Sequence, residues 1–439
     1  MMTDPMKKRL TMFTLMLFCL AAASAQNLKL LTVEEAVGIA MKNNFNLMVA
    51  QNNADIARIN NTTGNAGMLP TVGLNGTDNY SHSNVSQKYV NGTTIEKTNG
   101  YTNSFNAAVA LNWTLFDGTK MFITKNKLGQ IEKLGEIQFR DMVQQSVYNV
   151  IVAYYNVVSQ KQQLESINEV MAYNVERVKI LQKSFDAGLG RKTDLLQAKI
   201  DLNVNRELEI NQQTVIKTSK HNLNELLSRD PQTPFEVGDS IPLAYTPDAK
   251  DLLQKLYSMN TGVLSYQKQA DIAALSTREL KTLYLPRLNF NAGYNFLQGN
   301  SNASQQLSNR SYGPVVGGSL IMPFYQAGNV SRQVKSAKIL ETSARLNLES
   351  IKLQVNTELQ RSLTEFEDQQ QLLKFERENY SLAKENLNIS LERLRLGQTT
   401  ALEVKQASES FGNCLGRLVV FKYNLKVAET RLKQLVAGL

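Results

Sequence analysis

Two stretches of the chain alternate strictly between apolar and polar residues. In 104–116, Phe105, Ala107, Val109, Leu111, Trp113 and Leu115 alternate with Ser104, Asn106, Ala108, Ala110, Asn112 and Thr114. In 287–296, Leu288, Phe290, Ala292, Tyr294 and Phe296 alternate with Asn289, Asn291, Gly293 and Asn295. A period of two predicts strands with one apolar face. Residues 71–80 and 312–324 repeat it less cleanly. The second face carries Asn, Ser, Thr and Gly and almost no charge. A half-buried sheet of a soluble domain would show this pattern. So would strands of about 9–11 tilted residues crossing a bilayer, with lipid-facing apolar and lumen-facing polar positions. Tyr80, Tyr101, Phe116, Tyr312 and Phe324 near the strand ends suit interfacial girdles. Residues 82–100 and 298–311, rich in Asn, Ser, Thr and Gln, read as solvated outer loops. Membrane barrels need at least about eight strands, so four transmembrane strands would require oligomerisation.

A different rhythm fills the rest. Residues 119–187 hold no proline, and Val143, Val147, Val150, Tyr154, Val157, Leu164, Met171, Val175, Val178 and Phe185 follow a 4–3 spacing. That is a coiled-coil seam. Residues 329–396 carry a weaker version through Leu359, Leu363, Phe366, Leu373, Tyr380, Leu387, Leu391 and Leu394. Such helices are on the order of 100 Å long. Shorter helices are expected at 192–228, 46–69 and 261–285. Stacked end to end, two of these match one long helix, so each long shaft pairs with a partner made of two pieces.

The plan occurs twice. Gln51 with Ala54-Asp55-Ile56-Ala57 recurs as Gln267 with Ala270-Asp271-Ile272-Ala273, and Leu69-Pro70 as Leu285-Pro286. Gly188 recurs as Gly397, and Gln197-Ala198 as Gln406-Ala407, at a similar offset. Internal repetition of this kind defines the architecture. The expected divisions are a first repeat at 26–228, a joint at 229–248 and a second repeat at 249–439. The joint holds Pro231, Pro234, Pro242 and Pro247, four of the nine prolines, and must be largely non-helical.

Residues 1–25 read as a secretory signal peptide. Lys7, Lys8 and Arg9 precede an apolar run, and Ala23-Ser24-Ala25 marks cleavage before Gln26. An N-terminal anchor helix is the alternative. The net charge of +9 is scattered and interleaved with acids, with no basic block bearing aromatics, which argues against nucleic-acid binding. Beyond the leader Cys414 stands alone, so no internal disulfide is expected. His82, His221 and Cys414 have no metal-ligand spacing. No nucleophile elbow, phosphate loop or dinucleotide fingerprint occurs. Neither catalysis nor a cofactor is expected.

With these motifs in hand, the chain resembles the TolC family of outer-membrane efflux proteins. The resemblance rests on Leu31-Thr32-Val33-Glu34-Glu35-Ala36, the Leu-Pro before each first strand, and Leu115-Phe116-Asp117-Gly118. It rests too on Phe185-Asp186-Ala187-Gly188 followed by Asp194-Leu195-Leu196-Gln197-Ala198. It implies a mixed fold, all-α plus transmembrane β. Three chains, four strands each, would build a twelve-stranded β-barrel continuous with a long periplasmic α-helical barrel. It implies a homotrimer in the outer membrane, in contact with outer-membrane lipid. It also implies two partners, a periplasmic adaptor (membrane fusion) protein and an inner-membrane pump.

Candidate residues follow. Phe105, Val109, Leu111, Trp113, Leu288, Phe290 and Tyr294 are the expected membrane-facing strand residues. The helix-hairpin turns, with Phe185 and Gly188 in one and Leu394 and Gly397 in the other, are either adaptor-docking tips or ordinary turns. The resemblance places an acidic constriction at Glu403, with Gln406 where a second family acid would stand and Asp194 as the first-repeat equivalent. Three Glu403 carboxylates around a narrow pore would favour cations. A solvated helix carboxylate is the other reading, and Asp194 is expected to be structural. The function expected is a passive exit duct of a tripartite efflux pump or type I secretion system. A periplasmic coiled-coil adaptor or scaffold would lack membrane-length strands. A surface hydrolase would need a compact domain, for which no segment is left over.

Overall fold

The computed structural model describes residues 30–303 and 306–439, so the expected signal peptide lies outside the described residues. A short strand β1 (Leu30–Leu31) leads into helices α1 (Val33–Asn43) and α2 (Phe45–Asn60). Strands β2 (Thr71–Lys88) and β3 (Thr94–Phe116) precede the long helix α3 (Lys120–Asp186) and the returning helix α4 (Lys192–Leu226). After β4 (Glu236–Val237) the order repeats as α5 (Ala249–Met259), α6 (Thr261–Lys281), β5 (Arg287–Ser301), β6 (Ser308–Ile321), α7 (Asn329–Arg395) and α8 (Ala401–Leu435). Three helix pairs match in length: 67 residues for α3 and α7, 35 for α4 and α8, 11 for α1 and α5. Residues 229–248 contain no helix, and there β4 pairs in parallel with β1.

The short helices and α8 start at polar side chains that satisfy orphan backbone donors. Thr32 and Glu35 form a reciprocal capping box on α1. Asn44 accepts from the amides of Asn46 and Leu47 at the start of α2, while its Nδ2 donates to the Leu226 carbonyl at the end of α4, 3.2 Å away. Asn260 does the same in the second half. It accepts from the Val263 amide and donates to the Leu435 carbonyl at 2.9 Å. Each asparagine therefore caps one helix and ties it to the end of another. These two ties splice a short helix onto a returning helix, so each long shaft has a continuous neighbour.

The four long strands form one antiparallel sheet in the order β2-β3-β5-β6. On one side of it the helices are ranked α2-α3-α6-α7; farther away α4 and α8 replace α2 and α6, giving α4-α3-α8-α7. One strand thus stands on each of four helices. The strand-to-helix junctions carry consecutive left-handed residues, Gly118–Thr119 and Ala327–Gly328. Pro70 and Pro286 stand at the helix-to-strand junctions.

Among the described residues, three apolar cores hold the slab. One gathers Val150, Tyr154, Val157, Leu223 and Leu227 with Phe235 and Val237 of the joint. A second, its counterpart, gathers Leu256, Leu359, Phe366 and Leu432. The third lies near the far tips, around Leu387, Leu391, Val404 and Phe411. Full burial of each such side chain contributes roughly 1.5–3 kcal/mol.

The expected outer loops are mostly strand. β2 runs on to Lys88 and β3 begins at Thr94, leaving a tight turn in which Tyr89 donates to the Thr93 carbonyl. β5 and β6 likewise extend into 298–301 and 308–311. These extensions are polar on both faces, so no alternation marks them. The helix expected at 46–69 stops at Asn60, where Asn61, Gly64 and Gly67 make successive turns. The seam of α3 holds at Val147, Val150, Tyr154 and Val157. Farther down, Leu164, Met171, Val175 and Val178 are only half-buried, and the enclosed positions are Ser166, Asn174, Arg177 and Leu181. There α3 packs between α4 and α8, which turns its buried face.

Candidate channel surfaces and tips

The sheet has two chemically distinct faces. The antiparallel register pairs Val109 with Leu74 and Tyr294, Leu111 with Val72 and Ala292, and Trp113 with Phe290. Phe105, Val109, Leu111, Trp113, Leu288, Phe290 and Tyr294 therefore share one face, which also carries Val316 and Leu320 of β6. Trp113 sits near the sheet's helical end, and its indole donates to the Met68 carbonyl at 3.0 Å. The opposite face presents Asn112, Asn289 and Asn291, with hydroxyls between them. Thr114 Oγ1 donates to Asn289 Oδ1 at 3.2 Å, and Asn289 Nδ2 to Ser319 Oγ at 3.5 Å. Among the described residues no helix is long and apolar enough to cross a membrane.

Both margins of the slab are open. β2 and β6 each have one unpaired edge. Below them, α2 leaves Phe45, Val49, Ile56 and Ile59 exposed, and α4 leaves Leu196, Ile200, Val204 and Leu208. On the other margin α7 exposes Ile339, Leu346 and Leu353, then Phe375, Leu382 and Ile389, with Leu396 at its C-cap continuing the heptad spacing. Apolar stripes of this length on exposed helix faces mark protein–protein or membrane interaction surfaces.

The tips are two matching turns. Gly188 (φ 74°) donates to the Phe185 carbonyl, and Gly397 (φ 73°) to the Leu394 carbonyl. This left-handed position favours glycine. Leu394 is 8% exposed and belongs to the tip core, so it supports the turn rather than presenting a surface. Phe185 is partly exposed, and Leu189 (87% exposed), Leu396 and Leu402 are the apolar side chains offered outward.

Glu403 stands in the first turn of α8, where its amide is capped by Thr400 Oγ1. Its carboxylate accepts from Arg393 Nη1 at 3.0 Å and from the Thr399 hydroxyl. The carboxylate is thus half-exposed and already paired. Gln406 is exposed one turn on, and Asp194 occupies the first turn of α4, in the other hairpin. No bond joins Asp194 to Glu403 or Gln406 among the described residues.

What joins the hairpins is an ion network that the sequence did not reveal. Arg395 of α7 bonds Glu176 of α3 at 3.1 Å. Lys405 of α8 bonds Asp201 of α4 at 3.3 Å. Asp201 also pairs with Arg177 of α3, a guanidinium 2% exposed. Burial alone would raise the Asp201 carboxyl. Hydrogen bonds from Gln197 and Arg177, with the charges of Arg177 and Lys405, outweigh it and hold the group below the usual carboxylate range. No short-range spacing links these residues, so only the packing of α3 against α4 and α8 brings them together. His82 bonds Tyr80 at 2.8 Å, and Cys414 is buried beside Arg417.

The family model for outer membrane efflux proteins matches residues 36–229 and 253–438. The chain is 23% identical to the proteases secretion protein PrtF of Dickeya chrysanthemi, over 81% of this chain and 76% of that protein. It is 22% identical to the alkaline protease secretion protein AprF of Pseudomonas aeruginosa, over 68% of this chain and 62% of that protein. Among solved structures, the outer membrane protein VceC of Vibrio cholerae superposes with a TM-score of 0.75 at 17% identity, covering 92% of this chain and 96% of that one.

Proposed function

Because the chain belongs to the outer membrane efflux protein family, we propose that it is an outer-membrane exit duct, carrying cargo from the periplasm to the exterior for an efflux pump or a type I secretion system. The sheet crosses the outer membrane with its Trp113 face toward lipid and its Asn291 face toward the lumen. The helices extend into the periplasm. The duct is a passive conduit that makes and breaks no covalent bond.

The observation that carries this reading is the match between the open margins. Edge β6 and the stripe on α7 lie on one flank; edge β2 and the stripes on α2 and α4 lie on the other. Unlike flanks join head to tail, an arrangement that generates a ring when the rotation between copies closes. Two copies would close about eight strands, a bore that side chains fill. Three copies close twelve and leave a lumen, which supports a homotrimer.

Each chain is read as two repeats, 26–228 and 249–439, joined by 229–248. Equal helix lengths and the paired ties of Asn44 and Asn260 support this division. The tips around Gly188 and Gly397, with Phe185 and Leu189 exposed, are the proposed docking points for a periplasmic adaptor. An inner-membrane pump would supply the energy. PrtF and AprF are by name protease secretion proteins, so protein cargo is one candidate. In this reading Glu403, with Arg393 against it and Gln406 beyond, lines the mouth, and Asp194 supports the neighbouring hairpin. Opening would be a splaying of the tips that breaks Arg395–Glu176 and Lys405–Asp201.

Membrane fractionation followed by cross-linking in mild detergent tests the proposal. A trimer in the outer-membrane fraction is expected. A soluble periplasmic monomer would sink the duct and leave the adaptor reading.

A further inference from the structure

On the lumen-side positions of the sheet, residues 71–83, 102–114, 287–301 and 309–321 taken alternately, one charged side chain occurs among the described residues: Arg287. It opens β5 opposite Ile321, two residues before Asn289 and on the same face. The outer face carries Leu288 and Phe290 instead, so alternation keeps Arg287 away from lipid. Its guanidinium is exposed, and no hydrogen bond or ion pair engages it among the described residues. Just beyond it the Asn289 amide is held by Thr114 and Ser319. The wall above Arg287 is thus neutral, made of amides and hydroxyls with glycine, alanine and a few aliphatic side chains among them.

We propose that Arg287 forms a charge-selective ring at the floor of the barrel, which favours anions and recognises carboxylate- or phosphate-bearing groups on passing cargo. The inference rests on the trimeric duct reading, which brings three copies around one lumen. Rings of Arg select anions in pores. Arginine is charged at every working pH, and its planar fork matches carboxylate and phosphate oxygens. Asp117 follows Phe116, the register partner of Leu288, but its carboxylate accepts from the Met121 amide and forms no ion pair with Arg287. The contrast with Glu403 is direct, since that carboxylate already has Arg393 as its partner.

The test is ion permeability of the purified full-length protein in a planar bilayer, with inorganic triphosphate as a blocking probe on the barrel side. At about 0.1 M salt, where the Debye length is ~10 Å, the wild type should show triphosphate block. In Arg287→Gln the chloride-to-potassium permeability ratio should fall roughly twofold or more and the block should vanish. Arg287→Lys should keep both, and at ~1 M salt wild type and Arg287→Gln should converge. An unchanged ratio and block in Arg287→Gln would overturn the ring, as would loss of both in Arg287→Lys. The same comparison is made in the Asp201→Asn background, in which the tip pairs are broken; absence of any conductance there would instead overturn the duct reading itself, so the two failures are distinguishable.

Discussion

Asn44 and Asn260 each do two jobs, capping a helix start and closing a carbonyl at the end of another helix. Replacing either by Ala should cost about 1–2 kcal/mol, read as a lower urea midpoint, because the cap is lost and a carbonyl is orphaned. Ser at the same positions should restore the cap but not the tie, giving an intermediate midpoint. At the tips, Gly188→Ala and Gly397→Ala should each cost about 1–2 kcal/mol, since both turns require a left-handed residue. The glycines were legible because Phe185-Asp186-Ala187-Gly188 stands at the end of a long periodic run. The asparagines were not, although they sit at the offset of the other repeat matches. Asparagine is common, and nothing local says that its amide reaches a helix end far along the chain. Glu403 was legible as a residue but not as an ion pair, because Arg393 lies across the turn.

Among the elements, the long helices and their spliced partners could be read from proline absence and the 4–3 spacing. The drift of the α3 seam toward Asn174 and Arg177 could not, because it follows from a second neighbour rather than from the helix itself. The strand extensions were hidden for a related reason: polarity on both faces erases a period of two. The ion network between hairpins makes a pH prediction. The Asp201 carboxyl is depressed in the folded protein. Its contribution is present above the unfolded value of about 4 and is lost as pH falls below that through the folded value. Hydrogen exchange at the tips should therefore accelerate as pH drops below about 4, after correction for intrinsic exchange. Asp201→Asn should show fast tip exchange already at neutral pH. It leaves Arg177 buried without its counter-charge, a loss of about 3 kcal/mol. Equal tip protection in Asp201→Asn and wild type at pH 7 would remove the lock.

For the whole molecule, assembly should depend on the α7 stripe more than on any one core residue. Leu382→Glu combined with Phe375→Glu places charges on the flank that another chain would cover in the proposed ring, while each side chain is exposed in the single chain. The doubly substituted protein should keep its helical circular-dichroism spectrum and lose the trimeric cross-linked band. Retention of that band would mean that α7 faces solvent or lumen instead.

The pairing of one strand with one helix has a geometric cost. Neighbouring strands lie about 4.8 Å apart, whereas packed helices lie about 8–10 Å apart. Tilting the strands by ~45° widens their footprint but does not close the gap. Four strands on four helices therefore make a fan, narrower at the membrane than below it. The left-handed residues at Gly118–Thr119 and Ala327–Gly328 and the prolines at Pro70 and Pro286 stand at the ribs of that fan, where each chain segment must change lateral spacing as well as direction. A substitution that straightened one rib would shift a strand against its neighbours, so these few backbone positions act as the gauge that sets the bore.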